Sequence, residues 1–251
     1  MKKVEDAITL TFGDVMENHI GMEKIGTMSK KGYSLIDLLK FKRRFNRLGL
    51  ATELINLNRF VDEKTDPAYL LIIKNGVSIA CEEREIYNEH KKLVPDKKYY
   101  DTRRKKVLNK LARWNLCFDD KSQECDYENG KGTIVSYDDV PFTKKLKKAI
   151  LKITKDKDLK LEANYYYNIE KTFIQKHGDC ERKKVVGVRF GSKFPLVFAW
   201  YKNSDMISEN LRIILDPGDM YIMSEKAVGT DWKKRSIATL RHAAGAEKFI
   251  K

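Results

Sequence analysis

Lys176-His177-Gly178-Asp179-Cys180-Glu181, followed closely by Val185-Val186-Gly187-Val188-Arg189-Phe190, is the stretch from which the fold is read. The second run is dense in β-branched and aromatic residues. The same texture appears before it in Asn164-Tyr165-Tyr166-Tyr167. It recurs after it in Leu196-Val197-Phe198-Ala199-Trp200, Leu211-Arg212-Ile213-Ile214-Leu215 and Met220-Tyr221-Ile222-Met223. Each run is bounded by Gly, Pro, Asn, Asp or Ser, the pattern of short strands separated by turns. Strands at such regular spacing, from residue 161 onward, predict a sandwich or a double-sheet jelly roll.

Within that frame the His-x-Asp acquires a meaning. On a strand or strand end, residues i and i+2 point to the same side, so the His177 imidazole and the Asp179 carboxylate can converge on one metal ion. The chain has only four histidines, His19, His90, His177 and His242, and only His242 lies downstream of the pair. Two imidazoles and one carboxylate leave three coordination positions open, which suits a non-haem Fe(II) centre that must also take a co-substrate and dioxygen. A lone His-x-Asp is also common as a surface pair, so the surrounding strand order carries the weight.

The ordered set Asn164-x-Tyr166, His177-x-Asp179, Gly187-Val188-Arg189-Phe190-Gly191, Pro217-Gly218-Asp219-Met220-Tyr221-Ile222-Met223-Ser224 and His242 resembles the AlkB-like branch of the Fe(II)/2-oxoglutarate dioxygenases. Val140-Pro141-Phe142 with Leu146 is similar to the helix that enters the core of those enzymes. The resemblance covers residues 100–251. Thr11-Phe12-Gly13-Asp14, Glu17-Asn18-His19 and Thr239-Leu240-Arg241-His242 together are similar to uncharacterised chains of large DNA viruses and some eukaryotes that carry an extra N-terminal region. The resemblance implies an α+β chain with a C-terminal double-stranded β-helix (jelly roll) and supporting helices. It also implies iron held by His177, Asp179 and His242, and 2-oxoglutarate hydrogen-bonded by Asn164 and Tyr166. Dioxygen would be consumed, with ascorbate as a supporting reductant.

One departure is plain. AlkB-like enzymes set an arginine on a final strand, well past the distal histidine, to pair with the 5-carboxylate of 2-oxoglutarate. Only nine residues follow His242 here, and none is arginine. Gly187, Arg189 and Gly191 share one strand face, the one that looks inward in the resembled fold, and a buried guanidinium needs a carboxylate partner. Arg189 is therefore the first candidate for that role, although a salt bridge to a protein carboxylate would also explain it. Lys248, on an expected short strand 247–250, is the second.

The formal net charge is +14, and residues 91–160 hold 20 Lys or Arg against 11 Asp or Glu. Lys97 to Trp114 is the sharpest part, with eight basic residues, one acidic residue and Tyr99, Tyr100 and Trp114 interleaved. Arg103, Arg104, Lys105, Lys106 and Arg113 are candidate phosphate contacts in DNA or RNA, and Trp114 a candidate stacking surface for an unpaired base. The reading as a basic helix, with Val107, Leu108 and Leu111 docked on a core, also allows a merely solvated face. The four cysteines (Cys81, Cys117, Cys125, Cys180) show no Cys-x-x-Cys pair. Neither a signal-like start nor a membrane-length apolar run is seen, so an intracellular protein, cytoplasmic or nuclear, without disulfides is expected, most simply a monomer.

Residues 1–95 read as a separate mixed α/β region. A helix is expected after Ser34 and a strand at Tyr69–Ile73 before the Asn75-Gly76 turn, with 96–251 as the dioxygenase domain. Residues 88–101 are the candidate linker, and Glu17-Asn18-His19 reads as a capped turn. The expected function is a dioxygenase that hydroxylates or demethylates a nucleic-acid base. Two alternatives stay open: a prolyl or lysyl hydroxylase of the same fold, for which Lys248 would bind the co-substrate, and a non-catalytic basic nucleic-acid-binding protein.

Overall fold

The computed structural model describes residues 5–250. Strand β1 (Ala7–Gly13) is followed by the hairpin β2 (Val15–Glu17) and β3 (Lys24–Gly26). Helix α1 (Leu35–Arg47) leads to β4 (Thr52–Asn56) and β5 (Tyr69–Ile73), and α2 (Glu83–Lys91) to a second hairpin, β6 (Lys98–Asp101) and β7 (Lys106–Asn109). Next come β8 (Trp114–Asp119), β9 (Ile134–Ser136) and α3 (Pro141–Thr154). The rest comprises β10 (Lys160–Tyr166), β11 (Phe173–His177), β12 (Val185–Gly191), β13 (Phe194–Lys202), β14 (Asp205–Met206), β15 (Leu211–Leu215), β16 (Met220–Met223), the short helix α4 (Glu225–Val228) and β17 (Thr239–Gly245).

Two sheets carry the fold. The larger has eight strands in the order β4-β5-β16-β12-β1-β10-β8-β9; the smaller has five, β11-β17-β13-β14 with β15 also on β13. From β10 onward the chain alternates between them: β10 large, β11 small, β12 large, β13 and β15 small, β16 large, β17 small. Except for the parallel pair β8–β9, neighbouring strands run antiparallel.

The period-2 pattern of each central strand explains the layering. Ile8, Leu10 and Phe12 of β1, Leu161, Ala163 and Tyr165 of β10, and Val186, Val188 and Phe190 of β12 join one core cluster with Leu38, Phe41 and Phe45 of α1, Ile86 of α2 and Leu146 and Ile150 of α3. That is the helix-covered face. The opposite face packs Leu70, Ile72, Val185, Tyr221 and Met223 against Leu196, Phe198, Trp200 and Leu240 of the smaller sheet. On this inner side β1, β10 and β12 instead present Thr9, Thr11, Glu162, Asn164 and Arg189. A polar stripe between two sheets marks a cavity.

The helix after Ser34 starts with the expected cap: the Ser34 hydroxyl accepts the Asp37 N–H at 3.2 Å and the Asp37 carboxylate accepts the Ser34 N–H at 3.0 Å. The strand at Tyr69–Ile73 is also present. Other expectations are corrected. The boundary at residue 95 separates no packing units, because β1 is hydrogen-bonded between β12 and β10 and β5 pairs with β16. Residues 88–101 are no linker. His90 is buried between the Tyr165 hydroxyl and Thr143 Oγ1, each at 2.9 Å, and the Asp96 carboxylate accepts from Asn18, Tyr127 and Thr133. The basic stretch forms the β6–β7 hairpin in place of a helix. Asp101 caps its turn by accepting the N–H groups of Arg103 and Arg104 at 3.0 and 2.8 Å. The expected strand 247–250 is a single 3-10 turn, Glu247–Phe249. No helix among the described residues is long and apolar enough to cross a membrane.

Because β1 is paired on both edges and Leu10 is fully buried, Leu10→Ala is expected to lower unfolding free energy by about 2–5 kcal/mol. Ile36→Ala, on an exposed helix face, should stay within about 0.5 kcal/mol. Urea unfolding followed by circular dichroism measures both.

Candidate metal centre

His177 and His242 are directly paired across β11 and β17, two neighbouring strands of the smaller sheet. The β11 register shifts between Ile174 and His177, a bulge that turns the end of the strand. Asp179 lies just past that end, its N–H fixed on the Val228 carbonyl of α4 at 3.0 Å. Gly178 makes this possible: a Cβ there would lie 2.0 Å from the Gly229 carbonyl oxygen. His177 Nε2 stands 3.3 Å and His242 Nε2 3.6 Å from Asp179 Oδ1. One ligand atom from each of the three residues falls within 4.8 Å of the others, so the group can hold a metal ion.

The electrostatics favour that role. Burial alone would raise the Asp179 pKa, but Arg182, His242 and His177 outweigh it and hold the carboxyl well below the usual range. Burial, and then His177, push His242 down to about 4, so its imidazole is neutral and able to ligate. His177 Nδ1 lies 2.7 Å from the Gln175 carbonyl, a contact that fixes the ring and directs Nε2 to a metal. Arg182 was missed in the sequence. It is buried among three carboxylates, at 2.9 Å from Glu162 and Glu181 and 3.7 Å from Asp179. Its position three residues after Asp179 was the available signal.

The three ligands open into a cavity of about 510 Å³ between the sheets, within the roughly 300–1,000 Å³ common for ligand pockets. Asn164, Tyr166 and Arg189 line it. Arg189 is fully buried, and among the described residues no carboxylate pairs with it. Its Nη1 donates to Thr9 Oγ1, directly across the β1–β12 pair, while Nε has no partner. The Tyr166 and Phe194 rings lie 5.8 and 5.0 Å from its guanidinium carbon. Burial pulls its pKa below the ordinary guanidinium value. A guanidinium placed in this way can pair with an anion. Tyr221, also unforeseen, reaches the same wall because Gly187 has no side chain; a Cβ there would meet the Tyr221 ring at 2.0 Å.

The remaining candidates divide. Arg113 is in the cavity wall, its Nε donating to Asn164 Oδ1 at 2.5 Å; Asn115 donates to the same oxygen at 2.8 Å. Arg103, Arg104, Lys105 and Lys106 are exposed on the β6–β7 turn. Trp114 is not free for a base: it stacks on Tyr167 at 4.2 Å, with the Lys97 ammonium 4.3 Å from its ring centre. Lys248 is not in the cavity. It is exposed on the terminal 3-10 turn, 5.0 Å from the Phe249 ring centre. Glu17, Asn18 and His19, expected as a turn, line the cavity. Burial pushes Glu17 up to about 7 and His19 down to about 4. His19 stacks on Tyr99 at 3.7 Å, joining the β2–β3 loop to the basic hairpin.

Single replacements His177→Ala, Asp179→Ala and His242→Ala should each abolish stoichiometric uptake of Fe(II), or of Co(II) followed by its visible absorption, with a folded protein retained. Metal analysis and thermal unfolding check this, and full uptake by His242→Ala would remove that residue from the ligand set.

No family model matches the chain. It is similar to an uncharacterized protein of Acanthamoeba polyphaga mimivirus, 42% identical over 255 residues, with 100% of both chains covered. The chain belongs to the family of that viral protein.

Proposed function

We propose that the protein is an Fe(II)- and 2-oxoglutarate-dependent dioxygenase acting on a base in DNA or RNA. The observation that carries this reading is the buried Arg189 guanidinium, without a protein carboxylate, in the same cavity wall as the His177, Asp179 and His242 group. A metal that keeps open coordination sites, beside a cation that needs an anion, suits a chelating dicarboxylate. The alternation of β10 to β17 between two sheets supports the double-stranded β-helix. The position of Arg189 on β12, directly across from Thr9 of β1, supports it as the cation that pairs with the distal carboxylate.

When bound, iron and 2-oxoglutarate supply oxidation of a substrate C–H bond by dioxygen, with release of succinate and carbon dioxide. The chain's own residues do the rest. Arg189, oriented by Thr9, binds the distal carboxylate. Tyr166 and Tyr221 border it with phenolic groups whose deprotonation burial opposes, so they remain hydrogen-bond donors. The Asn164 carbonyl is occupied by Arg113 and Asn115, which leaves its amide NH₂ to donate. Arg182 keeps Asp179 anionic. The exposed cations of the β6–β7 turn stand beside the cavity mouth, since the turn residue Thr102 abuts Gly21 of the lining β2–β3 loop, and they suit a polyphosphate backbone. A base within a duplex would have to leave the stack to reach the cavity.

The protein-hydroxylase alternative loses its support with Lys248 on an exposed turn. For a non-catalytic binding protein, an unpaired buried arginine beside three metal ligands would be costly and without use.

Succinate formation from 2-oxoglutarate with Fe(II) and ascorbate, with and without methylated DNA or RNA, tests the activity. Arg189→Met should raise the 2-oxoglutarate concentration required by at least about a hundredfold, since breaking a buried ion pair costs about 3–5 kcal/mol. Lys248→Met should leave it unchanged, and equal behaviour of both variants would refute the assignment of Arg189. Replacing Arg103, Arg104, Lys105 and Lys106 with glutamine should spare uncoupled 2-oxoglutarate turnover while flattening the salt dependence of nucleic-acid binding. Each lost contact lowers the log–log slope by roughly 0.7–0.9.

A further inference from the structure

Helices α1 and α3 carry ten Lys or Arg between them against the single carboxylate of Asp37, in a chain whose whole formal charge is +14. Both helices cover the side of the large sheet opposite the cavity, and the Arg44 guanidinium ties them together by donating to the Ile153 carbonyl. Some of these cations are already engaged: Lys144 pairs with Asp138 at 2.6 Å and Lys147 with Asp158 at 2.7 Å. Six others form a pattern. Lys40, Arg43 and Arg47 on α1, and Lys145, Lys148 and Lys152 on α3, are all exposed and make no ion pair among the described residues.

In both helices the spacing is three residues and then four, so each trio forms one stripe of about 10 Å along its helix. The residues between them, Phe41, Phe45, Leu146 and Ile150, are buried in the core, so the stripes point outward. We propose that these two stripes form a second docking surface, for the phosphate backbone of a nucleic-acid duplex, on the side of the protein opposite the metal-ligand cavity. The cations are spread along two neighbouring helices and do not converge, which fits a rigid polyanion with charges along its whole length better than a small anion. No large exposed apolar residue interrupts the α3 stripe, as insertion into a lipid surface would require. Ile36 and Leu39, exposed at the start of α1, are the residues a vesicle would engage. The proposal concerns binding alone and does not rest on the dioxygenase reading.

Fluorescence anisotropy with short labelled DNA and RNA duplexes over a range of salt tests it. Lys145→Gln, Lys148→Gln and Lys152→Gln combined should lower the log–log salt slope by about 2–3, at about 0.9 per lost phosphate contact. The corresponding triple arginine variant should keep the wild-type slope, which separates loss of charge from loss of fold. An unchanged slope in the glutamine variant, or loss of duplex binding only when the β6–β7 turn is altered, would overturn the proposal. So would flotation with phosphatidylserine vesicles that the glutamine variant abolishes while duplex binding persists. Losses on DNA and RNA alike support a backbone surface; loss on one alone supports it for that duplex.

Discussion

β1 is held on both edges, by β10 on one side and β12 on the other, and everything else about the large sheet follows from that. Remove it and the sheet separates into β4-β5-β16-β12 and β10-β8-β9. The same seven residues serve two layers through strand alternation. Ile8, Leu10 and Phe12 anchor the helices, while Thr9 and Thr11 face the cavity, where Thr9 meets Arg189. One short segment thus couples the apolar core to the orientation of the Arg189 guanidinium.

Charge inside the cavity is arranged in two unlike ways. Arg182 is over-supplied with carboxylates, touching Glu162, Glu181 and Asp179, so it is a structural cation that keeps Asp179 ionised. Arg189 has only a hydroxyl and aromatic rings about it. Burying either guanidinium alone would be expensive. The first is neutralised by carboxylates of the fold itself, whereas the second has none among the described residues.

Much of this was legible in the residues, and the reasons for the rest are physical. The strands at 164–167, 185–190, 196–200, 211–215 and 220–223 announced themselves by β-branched runs between turn residues; period two set Arg189 on one face with Gly187 and Gly191, and the family resemblance implied that this face looks inward. Ala7 to Gly13 alternates just as clearly, yet nothing local says that its partners lie beyond residue 160, so the first 95 residues read as a separate region. Lys97 to Trp114 has helical composition, but Asp101 accepting two backbone N–H groups closes a tight turn that composition does not reveal. Trp114 looked available because its stacking partner, Tyr167, is remote in sequence. Arg182 looked like one more surface cation until Glu162 came across the sheet to meet it.

The position of β1 also sets an order of events during synthesis. Ala7 must pair with both Tyr166 and Gly191, so the strand leaves the ribosome long before either partner exists and waits with both edges unsatisfied. Contacts of such long sequence separation are slow to form, and unpaired apolar edges invite association with other chains in the interval. His242, which lies later still, joins His177 only once β17 has emerged. The His177, Asp179 and His242 group is therefore among the last features of the molecule to be assembled.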